Sequence, residues 1–238
     1  MIKLENFEVM GWEHAIRGMR NPKNSWDRMD SCTQGSVWCG EFCSNTECLC
    51  ETGLKLGPND LDLMTRLRNA GTDHRKFMRM ITVYVDITAP LYWWKEFDTY
   101  KVGTVANSCS TMHKIHDKEF TLDDFSHEHM RPRTLKRLME DIAELNFWRD
   151  IYLYGGTVDN GDGTLELFEP RSKEAWWQMI QLLGSNYNQK RTVMLDYEVL
   201  ANMHKSRKLH KLDEWRIFCV WIGRLPYSGL ITGSEKDA

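Results

Sequence analysis

Apolar and polar residues alternate along this chain with periods that change from block to block, and the changes mark its elements. Met80 to Ala89 (MITVYVDITA) is rich in β-branched and aromatic side chains, which suit a pleated, half-buried surface. Pro90 cannot donate to a sheet ladder, so the pattern predicts a strand near Met80 to Ile87 that ends at the proline. Leu91 to Tyr100 (LYWWKEFDTY) then sets Leu91, Trp94 or Lys95, and Asp98 three and four apart, the spacing of a short helix with one buried aromatic face. KVGTVANSCSTMH follows, rich in hydroxyls and poor in apolar mass, and reads as a loop. Loops carried on rigid elements hold a disproportionate share of binding groups.

The rest of the chain reads mainly as scaffold. Gly57-Pro58-Asn59-Asp60 predicts a turn into an amphipathic helix, LDLMTRLRNAG, with Asn59 or Asp60 as its cap. From Pro132 to Leu153, apolar residues keep three- and four-residue spacing and predict a long core helix. YGGTVDNGDGTLELFE combines turn residues with alternation, which predicts a β-hairpin insertion around 154–169. FTLDDFSHEHM gathers Asp123, Asp124, His127, Glu128 and His129. Ligands one or two apart diverge on a helix, so this segment reads as a solvated helix start rather than a metal shell.

At 238 residues, 42% hydrophobic and 27% charged, the chain is long enough for one substantial core, and one domain over 1–238 is expected. A net charge of −3 without a long basic run argues against a dedicated nucleic-acid polymer binder. No charged-then-apolar leader and no apolar run of roughly eighteen residues is seen, so a cytoplasmic protein with no membrane association is expected. Ten Trp and thirteen Met residues point to a core and an oligomer interface built from large side chains. Adjacent residues on a helix project about 100° apart, so one member of Trp93-Trp94 and of Trp176-Trp177 is expected to face a ligand or a partner.

Five of the seven cysteines, Cys32, Cys39, Cys43, Cys48 and Cys50, fall in one insertion around 31–56. Zinc on Cys39, Cys43, Cys48 and Cys50 is a candidate. Their spacings miss the usual two-residue gap within a pair, and the alternative is a loop of reduced thiols. Cys109 and His113 are four apart and would form a nucleophile pair only if their segment turned helically.

The order of these elements resembles the flavin-dependent thymidylate synthases. That family has a strand ending near a proline, a helix, an Arg-His-Arg triplet, a small pair, a serine, and a Ser-x-Arg-Tyr closure. Laid without gaps from Pro90, this chain has Thr99, Tyr100 and Lys101 at the triplet and Thr104 at the serine. It has Glu96 at a glutamine, Asn107 at a glutamate, Cys109 at the nucleotide-contacting serine, and Thr111 with Met112 at the closing Arg-Tyr. His74 falls where the family has a histidine before its strand. Arg191 in YNQKRTVML resembles the arginine that grips the nucleotide phosphate, and Arg207 or Lys208, ahead of LHKLDEWRIFCVWI, resembles a later basic residue near flavin and nucleotide. VMGWEHAIRGMRNPKNSW is similar to the family's opening strand and first helix.

The resemblance implies an α+β fold, a central mostly antiparallel sheet flanked by helices. It implies a homo-oligomer, a homotetramer, with sites built between subunits, and a free nucleotide rather than a polymer as ligand. It places Arg191, Lys101, Ser108, Ser110 and Glu96 at a dUMP-like pyrimidine nucleotide, and His74, Arg79, Thr104, Asn107 and Arg207 at FAD. An enzyme of this kind transfers a methyl group with flavin as reductant. The substituted signature keeps open a non-catalytic nucleotide-binding or interaction protein on the same scaffold, and the cysteines keep open a zinc-stabilised interaction module.

Overall fold

Val83, Val85, Ile87 and Ala89 are all buried, while Tyr84 between them is exposed, so the alternation seen in the sequence is the alternation of a real strand. The computed structural model describes residues 2–32 and 54–233. In chain order its elements are β1 (Lys3–Met10), α1 (Trp12–Arg20), α2 (Pro58–Asn69), β2 (Thr82–Pro90), α3 (Leu91–Phe97), β3 (Thr104–Ser108), α4 (Thr111–Lys114), α5 (Pro132–Tyr154), β4 (Gly156–Asp159), β5 (Leu165–Phe168), α6 (Lys173–Leu182), β6 (Asn188–Asp196), α7 (Tyr197–Arg207), α8 (Asp213–Ile222) and α9 (Gly229–Thr232). The main sheet runs β1-β2-β6-β3, and β4 pairs with β5 alone. The α+β class with an antiparallel sheet is therefore as expected.

The described residues fall into two compact units, one with Ile87–Thr99 and Asn107–Arg191, the other drawn from Leu4–Asp86, Tyr100–Ala106 and Thr192–Ala238. In the first, α5 packs on α6, and Leu138, Ile142 and Leu145 on α5 meet Met179 on α6 together with Ile115, Phe120 and Phe125. The helix stops at Gly155, whose φ of +73° is a left-handed turn that a side chain would block against the Phe168 carbonyl. The predicted hairpin then forms, with Gly156 opposite Phe168 and Asp159 opposite Leu165.

In the second unit, Trp12, Ala15, Ile16 and Met19 sit at helical spacing on α1 and are buried. They belong to a core that also takes Tyr197, Leu200 and Met203 from α7 and Trp215, Phe218 and Ile222 from α8. Arg20 and Asp60 form a fully buried ion pair at 2.6 Å. Asp60 Oδ2 also accepts the amides of Asp30 and Ser31, each at 3.0 Å. The helix α2 is capped differently from the sequence reading. Gly57 is its N-cap residue, Asp60 is turned inward, and the Asp30 carboxylate accepts the Asn59 and Asp60 amides from another segment.

Three further expectations are corrected. The stretch read as a loop after Lys101 contains β3, an edge strand whose residues are almost all exposed, so it needs no apolar alternation. The FTLDDFSHEHM segment makes only a short 3₁₀ turn at Leu122–Asp124, closed by a Thr121/Asp124 capping box. Trp93 and Trp94 are both buried, because α3 is sunk on two sides. Only the Trp176-Trp177 pair diverges, with Trp176 half-buried and Trp177 exposed.

Candidate functional site

The first unit organises its polar groups around Arg191. The β6 strand places this side chain so that its guanidinium carbon lies 4.1 Å from the centre of the Trp94 ring. Trp94 is itself held, since its Nε1 donates to the Gln189 carbonyl at 3.0 Å. Arg191 Nε donates to Gln189 Oε1 at 3.0 Å, and Nη1 donates to Asp98 Oδ1 at 2.7 Å. The guanidinium is thus fixed on one face, at one edge and at one tip.

The same strand anchors the serine-rich segment. Cys109 donates its amide to the Lys190 carbonyl at 2.9 Å, and its own carbonyl accepts from Gln189 Nε2 at 3.0 Å. Ser108 and Ser110 flank Cys109 and are exposed, so the structure brings two predicted nucleotide residues beside the strand that carries Arg191. Ser110 Oγ accepts the His113 amide at 3.1 Å as the cap of α4. Its own hydroxyl proton stays available to a ligand. Asn107 is exposed on β3, and Glu96 is half-buried on α3. Thr99, at a triplet position, turns its hydroxyl back to the Glu96 carbonyl at 2.7 Å.

The second unit holds His74, Arg79, Thr104 and Arg207, four of the five residues expected at flavin. Glu198 is buried at the start of α7, where Arg75 Nε donates to it at 3.2 Å and Arg79 Nε also donates to it. Burial pushes the Glu198 pKa up, but the two arginine bonds outweigh it and leave the carboxyl below its usual range. Arg79 is raised in turn by its bond to Glu198. Asp196 caps α7 through the Val199 amide at 2.8 Å, and burial, helped by Glu198, holds its pKa above the usual carboxylate range. His74 is exposed just ahead of the turn that carries Arg75 and Arg79.

The far end of α7 carries Arg207, about 13 Å of helical rise from Glu198. Arg207 Nε donates to the Tyr100 hydroxyl at 3.0 Å, with its guanidinium carbon 4.7 Å from the Trp215 ring centre. Tyr100 replaces the central histidine of the resembled triplet. Thr104 donates its hydroxyl to the Tyr100 carbonyl. Gly103 has φ +78°, and a side chain there would strike the Asp196 carboxylate, so this turn requires glycine. Lys101 is exposed in the same turn.

Sequence reasoning missed Asp98, Gln189, Asp196 and Glu198. The Asp98–Arg191 partners are separated by 93 residues and Glu198–Arg79 by 119, so no local pattern signals either pair. Among the described residues no group of His, Cys, Asp and Glu is arranged to hold a metal ion. Cys39, Cys43, Cys48 and Cys50 lie outside the described residues. Cys109 is exposed, while Cys219 is buried and its thiol is pushed up to about 11 by burial. Among the described residues no helix is long and apolar enough to cross a membrane.

No protein-family profile matches the chain, and no curated protein matches it in sequence. Solved structures do match. Thymidylate synthase X from Helicobacter pylori with FAD and dUMP shares 12% identity at a TM-score of 0.58, over 98% of both chains. A second structure of the flavin-dependent thymidylate synthase from Helicobacter pylori, also complexed with FAD and dUMP, gives 11% identity, TM-score 0.58 and the same coverage. Over 98% of its length, then, this chain is similar in fold to the flavin-dependent thymidylate synthases.

Proposed function

We propose that this chain binds a pyrimidine nucleotide, with dUMP as the reference ligand, together with FAD, on a scaffold of the thymidylate synthase X kind. The observation that carries this reading is the fold likeness, spanning 98% of both chains, to structures that hold FAD and dUMP. Arg191 beside the Ser108–Ser110 segment supports it. In this reading Arg191 holds the phosphate, Ser108 and Ser110 donate hydroxyls to it, and Glu96 faces the nucleotide. A guanidinium fixed on Trp94 is oriented before the ligand arrives, which lowers the ordering cost of binding.

His74, Arg79, Thr104 and Arg207 would hold the flavin. Two guanidiniums, an imidazole and a hydroxyl suit an anionic dinucleotide, and Arg79 stays 57% exposed even while paired with Glu198. Bound reduced flavin supplies hydride, and the protein supplies orientation and electrostatics. Assembly as a homotetramer belongs to the same reading. Phe7, Tyr84 and Val105, large apolar side chains left exposed on the sheet, support such an interface.

A specific observation favours a second reading on the same scaffold, in which nucleotide binds without turnover. Thr99 and Thr111 stand where the resembled family has arginines, and Arg191 is already engaged by Asp98. Absorbance of the purified protein tests the flavin half. Near-stoichiometric yellow flavin supports it, and a colourless protein that ignores added FAD overturns it. Calorimetric titration with dUMP tests the nucleotide half.

A further inference from the structure

We propose that Asp98 is an internal anion that occupies Arg191 until a phosphate displaces it, so that it sets the threshold charge a ligand must bring. This rests on the nucleotide reading of Arg191 and adds a specificity residue to it. Three sides of the Arg191 guanidinium are committed: Trp94 covers a face at 4.1 Å, Gln189 takes Nε at 3.0 Å, and Asp98 takes Nη1 at 2.7 Å. Trp94 and Gln189 are themselves tied, to the Gln189 carbonyl and the Cys109 carbonyl, each at 3.0 Å. Asp98 is the partner able to leave.

Two features of Asp98 argue for displacement rather than permanent support. Its side chain is 52% exposed whereas Arg191 is 15% exposed, so the carboxylate can rotate to water while the guanidinium stays on its tryptophan. It also stands at the C-cap of α3, where its amide bonds to the Trp94 carbonyl and its negative charge faces unsatisfied carbonyl ends. Capping chemistry therefore gives no reason for a carboxylate there. A carboxylate and a phosphate oxygen accept the same Nη1 proton and cannot both hold it. A dianionic phosphate brings Arg191 more charge than the Asp98 carboxylate does, and a carboxylate half exposed to water resists displacement little. A single carboxylate on a ligand offers no more than Asp98 already does.

The test is calorimetric titration of the folded full-length chain with dUMP and with acetate as a monoanion control. Asp98→Asn keeps the shape and removes the charge. We expect it to bind dUMP about tenfold more tightly than the parent at low ionic strength, with the gain shrinking as salt rises. We expect Asp98→Asn to gain measurable acetate binding and the Asp98→Asn, Arg191→Ala double variant to lose both gains. Asp98→Ser carries the same test if Asp98→Asn fails to fold. An Asp98→Asn protein that binds dUMP no more tightly, while Arg191→Ala binds it more weakly, overturns the role of Asp98 and leaves the nucleotide reading intact. Absence of dUMP binding in the parent and in both Asp98 variants overturns the nucleotide reading and this proposal with it.

Discussion

Arg207 Nε and the Tyr100 hydroxyl lie 3.0 Å apart, and the same guanidinium rests over Trp215. The substituted triplet position thus has a new task, since Tyr100 takes a hydrogen bond from one of the two arginines that the resemblance assigns to flavin. Tyr100→Phe keeps the ring and removes the bond, so urea denaturation should show a loss of about 1 kcal/mol. Arg207→Ala also removes the stacked guanidinium, and should lower flavin retention measured by absorbance after gel filtration. Unchanged retention would take Arg207 out of the flavin set.

Arg191→Ala should weaken dUMP binding at least about tenfold with the fold intact, because charge-assisted hydrogen bonds contribute roughly 1.5–3 kcal/mol. Calorimetry on the folded variant is the measurement. An affinity equal to the parent's would remove Arg191 from the nucleotide site.

Ordinary thymidylate synthase activity, assayed with dUMP, methylene-tetrahydrofolate, FAD and a reduced nicotinamide, should be absent or very weak. Thr99 and Thr111 leave two fixed positive charges missing where an anionic nucleotide meets an anionic cofactor, and Lys101 lacks the bidentate geometry of arginine. Robust turnover, or rescue of a thymidine-requiring host, would show that the altered turn is a working variant.

The Arg20–Asp60 pair sits at 3% and 0% exposure, so breaking it strands a buried charge. Asp60→Asn should cost about 3–5 kcal/mol in chemical denaturation. The exposed Asp62–Arg66 pair, at 63% and 67%, is the control and should cost well under about 1 kcal/mol.

Glu198 should shape the acid limb of stability. Its folded pKa lies below the ordinary value of 4.5, so the unfolded state binds the proton more readily. Its contribution is fully present above about that value and is lost as pH falls through the folded pKa. Glu198→Gln should therefore lower the melting temperature at neutral pH and flatten its fall under acid. An acid limb that keeps its slope in the variant would assign the pH dependence to other carboxyls.

Much of the scaffold was legible because burial on one face leaves a period. Val83, Val85 and Ile87 mark β2 by alternation, and Leu138, Ile142 and Leu145 mark α5 by helical spacing. Pro90 marks the end of the strand, and the order of strand, helix and serine-rich segment was enough to suggest the fold. The element β3 left no such mark, because an exposed edge strand has no apolar face to repeat.

By itself, then, the sequence determined the local elements, their order and which residue types were available for anion chemistry. Only the tertiary structure decided which charges meet. Asp98 reaches Arg191 across 93 residues, and Glu198 reaches Arg79 across 119, through returns of the chain that no period encodes. Trp94 and Gln189 likewise acquire their roles from β6 lying beside α3, which turns an arginine among polar residues into a fixed guanidinium with one exchangeable partner. Periodicity records which side of an element is dry, whereas ion pairing depends on which elements become neighbours, and that is settled by packing.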